Sequence, residues 1–235
     1  MKGVILAGGS GSRLYPLTKV TNKHLLPVGR KPMLYHTIEK FVKAGITQIL
    51  IVTGVNHMGD VVQSLGSGHE FGCSFTYKVQ DQAGGIAEAL GLARNFCGSS
   101  KFVVVLGDNI FEESLDHHVQ AFNEQKAGAR LLLTEVDDPE RFGVATLEDG
   151  KISKIVEKPK EPESNMIVTG VYMYDESVFE FVDRCEPSAR GELEITDVNN
   201  YYVGENQCFY DVLNGWWTDA GTFDSLERAN QYLSS

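Results

Sequence analysis

The sequence predicts an α/β domain built on a largely parallel sheet, with a second half of different texture. Three observations predict it. Over the first two thirds, short apolar runs alternate with amphipathic stretches of helical period, the pattern of βαβ units. The first apolar run breaks into a glycine-rich loop, "GGSGSR", as strands of such sheets do at their ligand-binding edge. After Pro139 the alternation gives way to a hairpin, a proline-rich loop and further strands.

The elements follow in order. "GVILAG" (3–8) is short, apolar and closed by glycine, a buried strand. "KPMLYHTIEKFVKAG" (31–45) reads as a helix. Pro32 suits its first turn, and Met33, Leu34, Ile38, Phe41 and Val42 share a face. Gly45 sits where a C-terminal cap belongs. "ITQILIVTG" (46–54), "SFTYKVQ" (74–80), "KFVVVLGDN" (101–109) and "ARLLLTEV" (129–136) are strands. "HMGDVVQSLG" (57–66), "GGIAEALGLARNF" (84–96) and "ESLDHHVQAFNEQKAG" (113–128) are the helices between them. "GVATLEDGKISKIVEKP" (143–159) is a hairpin turning at Asp149-Gly150. "PKEPES" is a surface loop, "IVTGVYMYD" (167–175) a strand, "ELEITDVNNYYVG" (192–204) a helix and "CFYDVL" (208–213) a strand. "TFDSLERANQYL" (222–233) closes the chain as a helix with Thr222 as N-cap. One compact domain is expected, its second half a subdomain over one edge of the first.

Composition narrows the function. The chain has 235 residues, 42% hydrophobic and 23% charged, with a net charge of -11. Such a surface repels nucleic acid and anionic membranes. A polyanionic ligand would have to be met by a few placed cations or a metal. The four cysteines, Cys73, Cys97, Cys185 and Cys208, form no CxxC pair, so zinc and thioredoxin-like readings lack support. The first apolar run is too short for a signal peptide. No run approaches the ~20 apolar residues of a membrane span. The expected location is the cytoplasm.

The glycine loop fails both common phosphate patterns. No GK[ST] follows Gly8, Gly9 and Gly11, and a GxGxxG starting at Gly9 would need glycine at Leu14. What remains is a strand, then glycines whose backbone N–H groups can converge on an anion, with Arg13 adding a fork of donors. A flexible turn is the alternative reading. "GVILA" and "FVVVLGD" would deliver this cradle and Asp108 to one sheet edge. A carboxylate beside phosphates calls for a divalent cation, and magnesium is the usual one. Asp219 in "GWWTDAGT" is a second carboxylate, read equally well as a helix-start aspartate. Glu157 and Lys158 read as a surface ion pair or as an anion and hydroxyl site. The six histidines show no metal-ligand spacing, and His117 and His118 are expected on a solvated helix face.

The motifs "LAGGSGSRLYPLT", "NKHLLPVGRKPM", "LGDNIF", "PERFGVA", "EKPKEP", "VTGVYMYD", "RGELEITDVN" and "WWTDAGT" occur in one order over nearly the whole chain. In this the chain resembles the sugar-phosphate nucleotidyltransferases. The resemblance implies a Rossmann-like nucleotidyltransferase fold, with a mostly parallel central sheet flanked by helices and a smaller sugar-binding subdomain. It implies one domain over 1–235, with a nucleotide-binding half to about 138 and a sugar-binding part from about 139. The implied reaction is dTTP plus glucose 1-phosphate giving dTDP-glucose and pyrophosphate, by direct displacement at the α-phosphorus. Arg13 and Lys23 would be catalytic, one on the pyrophosphate and one on the α-phosphate. Leu6, Gly8, Gly9, Gly11, Ser12, Gln80, Gly85 and Asp108 would complete the nucleotide site. Asn109, Gly143, Glu157, Lys158, Val168 and Tyr172 would take the sugar phosphate. Asp108 and Asp219 would bind Mg2+. A homo-oligomer and a place in dTDP-rhamnose synthesis are also implied.

Two positions depart from the family pattern. Asp81 replaces a proline in the base-reading segment, and His24 stands where many members carry glutamine. Longer members continue past the last helix with a tail that builds a second, regulatory nucleotide site. The resemblance therefore implies weak or absent control of that kind here. The alternatives are another base, such as uracil, another sugar, or a nucleotide-sugar sensor without catalysis. The sensor reading expects one of Arg13, Lys23, Asp108 and Asp219 to be replaced, and all four are present.

Overall fold

The computed structural model describes residues 1–234. The elements run β1 (Lys2–Ala7), β2 (Pro27–Val28), β3 (Lys31–Pro32), α1 (Met33–Lys43), β4 (Gln48–Gly54), α2 (Met58–Leu65) and β5 (Ser74–Gln80). Then come α3 (Ile86–Gly91), α4 (Arg94–Cys97), β6 (Phe102–Leu106), β7 (Asn109–Phe111), α5 (Asp116–Glu124) and β8 (Ala129–Glu135). The second half holds β9 (Gly143–Glu148), β10 (Lys151–Glu157), β11 (Met166–Tyr174), α6 (Val178–Arg184), α7 (Ile195–Gly204), β12 (Cys208–Val212), β13 (Trp217–Asp219) and α8 (Phe223–Ser234).

Among the described residues, nine strands form one sheet. Its first part, β5-β4-β1-β6, is all parallel, as the alternation of strands and helices requires. Alternate residues serve opposite faces. Val4 and Leu6 with Leu50, Val52, Phe102 and Val104 pack on one side, against Ala87, Leu90, Val178, Val198 and Tyr202 of α3, α6 and α7. Ile5 and Ala7 with Ile49, Ile51, Val103 and Val105 pack on the other, against Leu34, Ile38, Val61, Val119 and Phe122 of α1, α2 and α5. The result is a helix–sheet–helix sandwich with one core on each face of the sheet and a small third cluster of Val28, Met33, Ile110, Ala220 and Ala229.

Beyond β6 the sheet continues rather than ending in a separate layer. β11 runs antiparallel to β6 through Val171–Tyr174 and to β9 through Ile167 and Val168. Its other edge carries β8, which in turn pairs in parallel with β12. The sheet therefore forks at β11, and the expected subdomain is an extension of the one sheet. The β9–β10 hairpin turns at Asp149 and Gly150, both with positive φ (49° and 74°), as a tight I′-type turn demands. Thr222 and Ser225 cap α8 reciprocally: Ser225 N–H donates to Thr222 Oγ1 at 3.2 Å and Thr222 N–H to Ser225 Oγ at 3.0 Å. Two departures are local. The expected helix at 84–96 is two short ones, α3 and α4, and α6 was not expected from the pattern. Among the described residues no helix is long and apolar enough to cross a membrane.

His118 is a correction. It is not on a solvated face but buried, 1% exposed, with Nδ1 2.8 Å from Asp211 on β12 and Nε2 3.3 Å from Glu113. Only His117 of the pair is exposed. Glu113, His117 and His118 bring ligand atoms within 4.8 Å of one another. Arg130 closes the group on Asp211, and Asn214 donates to both oxygens of Glu113, so both carboxylates have partners within the protein.

These contacts tie α5, β8, β12 and the loop before β13 together. Burial alone would raise the Asp211 carboxyl, but bonds from His118 and Arg130 hold it below its usual range. Burial would likewise raise Glu113, and Asn214 and His118 pull it down. A depressed folded-state pKa gives stability that is complete above the unfolded value and lost as pH falls through the folded one. Urea unfolding from pH 7 to 3 should show stability falling below about pH 4. Asp211→Asn should be less stable at pH 7 and flatter over the same range.

Candidate functional site

Four parallel strands end at one edge of the sheet, and each delivers part of the site. β1 runs into Gly8–Gly11, β4 into Gly54, β5 into Gln80 and β6 into Asp108. Two cavities open there. The first is lined by the glycine loop, Asn22, Lys23, Gly54–His57 and Gln80–Ala83. The second is lined by Arg13, Asp108, Arg141, Gly143, Glu157, Lys158, Val168, Tyr172, Thr196, Trp217 and Asp219, among others.

Lys23 joins the two. It lies on a short 3₁₀ turn, Lys23–Leu25, whose N-cap Asn22 accepts from His24 N–H at 2.9 Å. Its side chain crosses the loop: a Cβ on Gly9 would stand 3.2–3.3 Å from the Lys23 Cε and Nζ. Nζ then reaches Asp108 Oδ2 at 2.5 Å. The absence of side chains in the loop is what lets a lysine from the first cavity reach a carboxylate in the second. Gly11 turns the chain at φ 66° so that Arg13 projects beyond it.

Charge is balanced tightly. Burial would raise the Asp108 carboxyl, yet Lys23 and the Asn109 amide hold it well below the usual range. Asp219 goes the other way: burial and then the Asp108 charge raise it, against Arg141, Arg13 and Lys23. His24 stays neutral. Burial, then Lys23, push its pKa down to about 3, and its Nδ1 lies 2.7 Å from Asn22 Oδ1. It therefore adds no charge behind Lys23.

Asp219 is brought to Asp108 by β13, which pairs antiparallel with β7 so that Asp219 faces Asn109. The two carboxylates converge on Gly221. A Cβ there would stand 3.5 Å from Asp108 Oδ2, 3.6 Å from Asp219 Oδ2 and 2.9 Å from Arg13 Nη2. Two carboxylates, one raised by the other, are a donor set that suits a hard divalent cation.

The far wall holds a carboxylate and cations. Glu157 ends β10. Its Oε2 accepts from Thr196 Oγ1 at 2.6 Å, and Lys158 Nζ and Arg190 Nη2 stand 3.5 and 3.4 Å from Oε1. Lys158 has a left-handed backbone, φ 44°, which turns it off the strand at the cleft. Tyr172 stays protonated because burial, then Glu157 and Asp108, raise its hydroxyl.

Of the residues expected from the sequence, Gly8, Gly9, Lys23 and Gln80 line the first cavity. Arg13, Asp108, Gly143, Glu157, Lys158, Val168, Tyr172 and Asp219 line the second. Leu6, Gly11, Ser12, Gly85 and Asn109 line neither. Asn109 is a buried strut: Oδ1 accepts from Gly170 N–H and Trp217 Nε1–H, each at 2.8 Å, and Nδ2 donates to Asp108 at 3.1 Å. Arg141, Thr196 and Arg190 were missed. Each lies inside a quoted motif, "PERFGVA" or "RGELEITDVN", so the signal was present. What the spacing lacked was the distance from Arg141 to Asp219, 3.3 Å across the cleft.

The nucleotidyl transferase family pattern matches residues 2–235. The chain is 41% identical over 239 residues to a glucose-1-phosphate thymidylyltransferase of Neisseria meningitidis, covering 100% of this chain and 83% of that one. It is 40% identical over 235 residues to a low-salt glycan biosynthesis nucleotidyltransferase of Haloferax volcanii. That match takes in 99% of this chain but spans 66% of the relative's length. A crystal structure of a Bacillus anthracis protein, provisionally assigned as a glucose-1-phosphate thymidylyltransferase and bound to sucrose, superposes with a TM-score of 0.95. It is 61% identical and is covered to 94%, with 99% of this chain matched. A UDP-glucose pyrophosphorylase bound to UDP-glucose superposes at 0.86 with 25% identity, over 99% of this chain and 98% of its own.

Gly221→Ala is expected to keep the fold, because the added carbon meets only side-chain ends. It should displace the Arg13 guanidinium from the carboxylates. Calorimetry with magnesium pyrophosphate should show binding weakened about tenfold, the worth of one charge-assisted hydrogen bond.

Proposed function

Because the chain belongs to the nucleotidyl transferase family, we propose that it transfers a thymidylyl group from dTTP to glucose 1-phosphate, giving dTDP-glucose and pyrophosphate. The observation that carries this reading is the meeting of two cavities at the Lys23–Asp108 pair. The base and sugar of dTTP occupy the first, beside Gln80 and the glycine loop. Glucose 1-phosphate occupies the second, its hydroxyls on Glu157 and its phosphate on Lys158 and Arg190. The phosphates of dTTP lie across the junction.

An oxygen of the sugar phosphate attacks the α-phosphorus. The bond from that phosphorus to the bridging oxygen breaks, and its electrons leave with pyrophosphate. No group on the protein becomes covalently bonded. Such transfers need positioning and charge neutralisation more than acid–base help. Lys23 stabilises charge growing on the α-phosphate, and Arg13 holds the departing pyrophosphate. Thr196 keeps Glu157 turned toward the sugar. Neutral His24 supports the Lys23 turn without competing for Asp108. Asp108 and Asp219 would hold a magnesium ion, which when bound neutralises phosphate charge and aligns the phosphates with the acceptor. The product fits a route to deoxysugar nucleotides such as dTDP-rhamnose.

A panel of dTTP, UTP, CTP and GTP against glucose 1-phosphate, read as pyrophosphate release, tests the reading. Turnover should be fastest with dTTP and should need a divalent cation. Fastest turnover with UTP would make the chain a uridylyltransferase, and no turnover with any pair would make it a sensor. Asp108→Asn should cut kcat at least ~100-fold and still fold, with a circular dichroism spectrum like the parent's and a lower melting temperature because Lys23 loses its partner. Retained activity in that variant would remove Asp108 from the metal site.

A further inference from the structure

Gln80 presents its amide to the first cavity in one orientation, and the reason is Glu88. Gln80 ends β5, is 8% exposed and lines the cavity beside Gly8 and Gly9. Its Nε2 donates to Glu88 Oε2 at 2.7 Å and to the Gly85 carbonyl at 3.3 Å. Neither partner can donate in return: one is a carboxylate and the other a carbonyl. Turning the amide over would set its oxygen against both. The orientation is therefore fixed by the network.

Two consequences follow. Both amide protons of Gln80 are committed inside the protein. Its Oε1 stands over Gly8, 2.7 Å from where a Cβ would be, and among the described residues nothing donates to it. Gln80 thus offers the cavity an acceptor and no donor. Glu88 itself lies in the first turn of α3, half-buried, and its one hydrogen-bonding partner among the described residues is Gln80.

We propose that Glu88 is a positioning residue for base specificity. By locking the Gln80 amide, it makes the cavity take a pyrimidine with a ring N–H, thymine or uracil, and reject cytosine. Thymine and cytosine share the same ring and differ in outline by one methyl at C5, so shape separates them weakly and polarity at N3 strongly. At N3 thymine donates and cytosine accepts. Against a fixed acceptor, cytosine leaves two lone pairs face to face, and a site built around one hydrogen bond discriminates strongly in such a case. This rests on the nucleotidyl transfer proposed above.

The test compares kcat/KM for dTTP and dCTP, at saturating glucose 1-phosphate, in the parent, Glu88→Leu and Glu88→Gln. The parent should favour dTTP at least ~100-fold. Glu88→Leu frees the Gln80 amide to turn, and the ratio should fall at least ~10-fold. The change should appear in the nucleotide KM, with the KM for glucose 1-phosphate unmoved. Glu88→Gln keeps an oxygen that can accept from Gln80 and should retain most of the ratio. An unchanged ratio in Glu88→Leu overturns the proposal, and so does an equal loss with both nucleotides. Glu88→Ala gives the same readout if the leucine variant does not fold. If the parent turns over neither nucleotide, the functional reading fails instead. Calorimetric binding of dTTP and dCTP to the same proteins then decides the role of Glu88 by the same ratios.

Discussion

Two carboxylates, Asp108 and Asp219, are held side by side in a partly buried cleft, and the surrounding structure is arranged to bear that repulsion. Both point at Gly221, where any side chain would intrude. Lys23 answers Asp108 directly, and Arg141 reaches Asp219 from the opposite wall. The charges are balanced by long side chains reaching in from opposite walls. In the proposed reaction an incoming polyphosphate would compete for Lys23, Arg13 and Arg141, and a divalent cation for the carboxylates.

Bringing the pair together needs two elements far apart in the chain. Asp108 follows β6 in the all-parallel part of the sheet. Asp219 arrives more than a hundred residues later, on a three-residue strand that pairs with β7. Asn109 fastens the joint, with its amide shared among Asp108, Gly170 and Trp217. α8 holds the same loop from outside through the stacking of Tyr232 on Trp216, 4.7 Å between rings. The fold thus treats the carboxylate pair as a product of tertiary packing rather than of any local motif.

That explains what could be read in the sequence. The inner parallel strands β1, β4 and β6 are largely apolar because both faces are covered, the edge strand β5 alternates, and the helices between them keep their period. The Asp149-Gly150 turn and the Thr222 cap are local chemistry, and both were legible. β7 and β13 are three residues each and carry no period. The fork at β11 was hidden for a related reason: a continuous apolar strand does not say how many partners it has. His118 was misplaced because a histidine beside another on a polar helix looks solvated. Its burial depends on Asp211, 93 residues away. Most of the residues that line the two cavities lie within quoted motifs, while Arg141 and Thr196 needed the cleft to be closed around them.

The fork has a mechanical consequence. Val168 and Tyr172, which line the second cavity, lie on the strand hydrogen-bonded to the one that runs on into Asp108. Among the described residues one sheet joins the walls of the two cavities. What is not sheet lies at the perimeter: the glycine loop, the lysine that crosses it and the left-handed turn at Lys158. The shared sheet is the anvil of the site, and the few side chains at its rim are the jaws.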